Sequence, residues 1–156
     1  MLTAHLPSGY VLARNLPRTI PALMPVALIG AVLPDIDMLW FHFVDHKAFH
    51  HHRYWVHIPF FWLVIAAIAL PLACWAGHVR TAAVFFAAIF LHLVLDTIGG
   101  GIMWGAPISG RLFELVTVPP EHGHWIISFI LHWTFLAEVA IWLAALTLWL
   151  RRNRVA

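Results

Sequence analysis

Three short patterns concentrate the residues able to do chemistry. His92-Leu-Val-Leu-Asp96 places an imidazole and a carboxylate at i and i+4, one turn apart on a single helix face. Such a pair binds a metal directly, or the aspartate orients the histidine; alternatively the two only satisfy each other's hydrogen bonds. Asp35-Ile-Asp37 follows Pro34. Proline disfavours helical geometry at Leu33, so a helix should bend or end there. In an extended or turn segment the two carboxylates can face the same way, an oxygen-rich corner for a divalent ion. A plain helix cap after the bend accounts for one aspartate but poorly for two. The third pattern, His50-His51-His52-Arg53-Tyr54-Trp55-Val56-His57, has its useful geometry with His52 in a loop and His57 in the first turn of a helix. Arg53 suits bidentate contact with a phosphate or carboxylate, or anchoring at an interface.

These residues sit in a chain built for lipid. Of 156 residues, 62% are hydrophobic and only 10% charged, far from the balance of a soluble domain. Charge-poor stretches of near-spanning length predict an all-α integral membrane protein, one domain over residues 1–156. About four transmembrane helices are expected at 20–44, 56–77, 80–98 and 125–150, with a short N-terminal helix at 4–16. The start lacks the pattern of a signal peptide. Cys74, the single cysteine, is uninformative. No basic stripe with interleaved aromatics is present, so the expected partner is the bilayer and no nucleic acid is expected. Oligomeric state is not legible.

Four spans put Arg14, Arg18, Arg80, Arg151, Arg152 and Arg154 on one side and Lys47, Arg53 and Arg111 on the other. The positive-inside rule then places the termini on the cytoplasmic side of an inner (plasma) membrane. All histidines except His5 and His78 fall toward the outer side, as do Asp35, Asp37 and Asp96. Ionisable groups gathered in one membrane layer are costly and point to one site. His5 joins by arithmetic: a helix over 4–16, rising about 1.5 Å per residue, folds back as a re-entrant hairpin to the level of Asp35 and Asp37. A surface histidine is the alternative. His122, His124 and His132 at the start of the last span can be ligands, proton shuttles or structural groups. Glu138 reads as a helix contact or a protonated buried acid, with Thr134 its expected neighbour.

Together these motifs resemble the YdjM-type family of membrane-bound metal-dependent hydrolases. The resemblance rests on His5, Leu33-Pro34-Asp35-Ile36-Asp37, His52-Arg53 with His57, His92 with Asp96, and Trp104-Gly105-Ala106-Pro107 in a Gly/Pro-rich loop. It covers roughly residues 4–110. Tyr54-Trp55-Val56 stands where the family pattern has a glycine and a threonine.

Residues and resemblance lead to a metal-dependent hydrolase of an ester or phosphoester, with a lipid-like substrate in view, at the outer membrane face. His5, Asp35, Asp37, His52, His57, His92 and Asp96 are the expected ligands of one or two divalent ions. Asp37, Arg53 and His57 are the expected catalytic groups. Mixed nitrogen and oxygen donors suit zinc or manganese better than calcium. The competing readings are haem held between two of His57, His92 and His132, and an ion or proton transporter using the same buried acids.

Overall fold

A computed structural model describes residues 3–152, and within them all regular structure is helical. Arg154 of the basic tail lies outside the described residues. Helix α1 spans His5–Arg14, α2 Leu23–Val32, α3 Asp37–Phe43, α4 Pro59–Trp75, α5 Val79–Asp96, α6 Trp125–Leu131 and α7 Phe135–Arg151. Short 3-10 turns occupy Leu33–Ile36, His51–Arg53 and Trp55–His57. The only pairing of strand type among the described residues is an isolated bridge between Ile102 and Phe113.

α5 is the central helix. It packs on α2 and α4, and α1 lies along α2. Val56, Trp62, Ala66, Phe86, Ile89, Leu93 and Ile102 form the main core, while Ala13, Ile20, Ala27 and Val84 fill a second cluster near the α1–α2 turn. Small side chains allow the helices to approach closely. At Gly9, a Cβ would come within 2.6 Å of the Ala31 Cβ and 2.8 Å of the Ala27 carbonyl oxygen, so α1 can lie against α2 only with glycine there. The outward faces stay apolar: Ile68, Leu72 and Trp75 on α4 and Leu136, Leu143 and Leu150 on α7 are all exposed. Faces of this kind need lipid rather than water.

Two helical stretches are long and apolar enough to cross a bilayer, Leu23–Phe43 with 21 residues and Val79–Asp96 with 18. α4 is apolar over 17 residues, and α7 also has 17. The expected last span is not one continuous helix. α6 ends at Leu131, and His132 turns to an extended conformation before α7 restarts at Phe135. His132 Nδ1 stands 2.9 Å from the Thr134 hydroxyl, and side-chain bonds of this local kind compete with the helical ladder.

The break at Pro34 also differs in detail from expectation. Leu33 keeps right-handed helical angles, and residues 33–36 tighten into a 3-10 turn rather than an extended segment. Asp35 and Asp37 therefore do not lie side by side. Asp37 is buried, and the Asp35 side chain is 39% exposed.

Candidate metal centre

Four helix ends meet at one level: the start of α1, the break between α2 and α3, the 3-10 turns that lead into α4, and the last turn of α5. They bring His5, His52, His57 and His92 around Asp96, and all five side chains are almost fully buried. Nε2 of His92 lies 3.0 Å from an Asp96 carboxylate oxygen, that of His57 3.5 Å and that of His52 3.6 Å. Nε2 of His5 lies 3.1 Å from the other oxygen, and its ring stacks on His92 with centroids 3.8 Å apart. Asp35 closes the open side, 3.7 Å from His92 Nε2.

The outer nitrogens of three rings are already committed. His92 Nδ1 donates to the Ala31 carbonyl at 2.7 Å, in the last turn of α2, where carbonyls lose their helical partners. His52 Nδ1 donates to the carbonyls of Gly100 and Gly101, each at 2.9 Å. His57 Nδ1 donates to Asp37 Oδ2 at 2.5 Å. Each bond fixes the tautomer and turns the Nε2 lone pair inward, the arrangement by which carboxylates and carbonyls orient metal-bound histidines. His57 Nε2 and His92 Nε2 then face each other at 3.3 Å beside a carboxylate. A shared positive charge, a proton or a metal ion, satisfies the pair.

Their spacing suits a metal ion. Donors sharing one tetrahedral ion at bond lengths of about 2.0 to 2.1 Å stand about 3.3 Å apart. His5, His92 and Asp96 offer ligand atoms within 4.8 Å of one another, as do Asp35, His57 and His92. The histidine loop offers a third such group in His51, His52 and His57. Burial pushes His51 down to about 3 and His52 to about 2, so both imidazoles are neutral at physiological pH, the form that binds metal.

The sequence-derived candidates take different places. His5, His52, His57, His92, Asp96 and Asp35 point into the cluster. Asp37 stands behind His57. Arg53 is exposed on the turn that carries His52. His124 caps α6 through the Ile126 amide, and His132 engages Thr134, and neither lies in the groups of close ligand atoms found among the described residues. Glu138 is fully buried and accepts from the Thr3 amide at 2.9 Å and the Thr3 hydroxyl at 2.6 Å. It thus fastens α7 to the segment that precedes His5.

Three contributors carry little or no specific signal in the sequence. His51 lies in a triple-histidine run that looks like a metal tract but equally suits plain surface sequence. The carbonyl of Ala31 carries no side-chain signal. Gly100 did leave a trace, the Gly99-Gly100-Gly101 run directly after the Asp96 turn. A Cβ at Gly100 would stand 2.5 Å from His52 Cε1, so the glycine makes room for the ring.

A family model described as YdjM inner membrane protein matches residues 1–155. No curated protein matches, and no solved structure matches.

Proposed function

The chain belongs to the YdjM inner membrane protein family, and on that premise we propose that it is a membrane-embedded metal-dependent hydrolase of an ester, a phosphoester in the first instance. The observation that carries this reading is the convergence of inward-turned Nε2 atoms on Asp96, with His57 and His92 only 3.3 Å apart. A divalent ion there, zinc or manganese by its mixed donors, supplies an acidified water and polarises the scissile group. His5, His57, His92 and Asp96 would hold it, with His52 and Asp35 adjacent. Asp37 acts through His57, keeping its ring in one tautomer. Asp35 is the half-exposed carboxylate of the cluster and can take the proton released from water. Exposed Arg53 supplies positive charge at the rim for an anionic substrate.

The proposal includes four spans, with α3 continuing α2 and α6 followed by α7, and the centre at the outer face. The uneven distribution of Lys and Arg supports this orientation. Single cysteines at Lys47 and Arg111 in a Cys74→Ser background should react with an impermeant thiol reagent on intact spheroplasts. Labelling only after lysis reverses the topology.

The geometry favours a metal ion over haem. His5 stacks on His92, and Asp96 lies against the same ring, where a macrocycle would need open space. A colourless preparation without a Soret band agrees with this.

The decisive assay is a panel of lipid and water-soluble phosphoesters, run with protein of measured metal content. Turnover should disappear with chelator and with Asp37→Asn, whereas Arg53→Ala should weaken substrate binding and leave the metal in place. Full occupancy with no turnover across the panel contradicts the enzymatic reading.

A further inference from the structure

Asp37 uses only half of its carboxylate on His57. Its side chain is 2% exposed, and among the described residues its Oδ1 is buried without a hydrogen-bond partner. Across from it, at 3.8 Å, lies Nδ1 of His51, also buried and also without a hydrogen-bond partner. Leaving such an atom unsatisfied is costly, and native proteins rarely leave two facing each other.

The separation is too long for a hydrogen bond but suits a shared ion. Two bonds of about 2.1 Å span at most about 4.2 Å, so both atoms can reach one cation. The ring of His51 is held in place by its neighbours. It stacks on His50 at 5.2 Å between centroids and meets His52 edge-on at 4.1 Å. The close ligand atoms form more than one group, and His57 and His92 link them through Asp35. His5, His92 and Asp96 form one group of close ligand atoms; His51, His52 and His57 form another. Counting Asp35 and Asp37, the centre offers more donors than the four that close one tetrahedral ion.

We propose that the centre holds two divalent ions, and that His51 Nδ1 and Asp37 Oδ1 are ligands of the second, with His52 beside them. The first ion belongs to His5, His92 and Asp96, with His57 between the two positions. This proposal rests on the metal reading above and sharpens it. Two ions are a common device for stabilising both the attacking and the leaving oxygen in phosphoester cleavage. Nitrogen donors with a carboxylate select zinc or manganese over calcium at the second position as well.

The test is a zinc count. Full-length protein in detergent is stripped with chelator and titrated with Zn²⁺ by calorimetry. Bound zinc is then measured by elemental analysis, and helicity by circular dichroism. The wild-type chain should take two equivalents. His51→Ala and the bulkier His51→Gln should each take one and keep their helicity, whereas His92→Ala should lose the first site. The wild-type count decides between one ion and two even if a variant fails to fold. A single equivalent in wild type, or a second equivalent retained in both folded His51 variants, overturns the proposal and leaves a one-ion hydrolase intact. A wild-type chain that takes no zinc, and no Mn²⁺ in a parallel titration, overturns both.

Discussion

His5 lies flat on His92, centroids 3.8 Å apart and planes 20° from parallel, although one ring opens the first helix and the other lies near the end of the fifth. Neither helix end alone would hold that contact. α1 reaches it by lying against α2, and α2 in turn packs on α5. The segment before His5 is fixed from a third direction, because Glu138 of α7 accepts both polar hydrogens of Thr3, and Trp142 donates to the same hydroxyl at 3.1 Å.

Removing that acceptor should therefore be felt at the centre. Glu138→Ala leaves the Thr3 amide and hydroxyl without their partner, at a cost of about 1 to 3 kcal/mol. Metal affinity should fall about 10- to 100-fold, the usual range for loss of an orienting contact. Glu138→Gln keeps one carbonyl acceptor and should fall in between. Calorimetric zinc affinity of the three proteins checks this, and equal affinities would show that the latch does not position His5.

Gly100 gives a sharper steric test. Gly100→Ala inserts a methyl group at 2.5 Å from His52 Cε1 and must push the ring away from the Gly100 and Gly101 carbonyls. Helicity should be preserved, since Gly100 lies beyond the last residue of α5. Zinc affinity should drop about 10- to 100-fold. An unchanged affinity would mean that the His52 ring is not held by this contact.

Acid should destabilise the metal-free protein through the histidine loop. Burial holds His51 near 3 and His52 near 2, whereas in an unfolded chain both titrate near about 6.5. Below about pH 6.5 the unfolded chain takes up protons that the folded site refuses. This part of the stability is intact above that pH and is lost as the pH falls toward 3. Thermal unfolding of the chelator-stripped protein between pH 8 and pH 4 should show the decline. Replacing the titratable ring in His51→Asn should make it shallower, and an identical slope in both proteins would contradict the assignment.

Much of this arrangement could be read from the residues, and the parts that could not share a physical reason. Charge-poor stretches reveal α2, α4 and α5 because lipid demands apolar faces. The spacing of His92 and Asp96 is helical, so their common face follows directly. The level of His5 follows from helix rise alone. What stayed hidden depends on contacts between segments far apart in sequence. The Glu138–Thr3 latch, the room made by Gly100 and the partners of His92 and His52 are main-chain or tertiary features with no local signature. The 3-10 geometry after Val32 also matters. It turns two aspartates that look like one chelating pair toward different histidines, and the proline signal alone predicts only the bend.

Metal binding by these inward-turned imidazoles and Asp96 underlies the proposed function. It is tested most directly by elemental analysis of the detergent-purified protein alongside His5→Ala, His92→Ala and Asp96→Asn. The wild-type chain should carry zinc or manganese at one equivalent or more. His92→Ala and Asp96→Asn should each remove most of the ion of the first position, and His5→Ala should lower the metal load about as much as His92→Ala. A folded wild-type protein without bound metal, or full metal content in folded His92→Ala and Asp96→Asn, would rule out a metal centre at these residues.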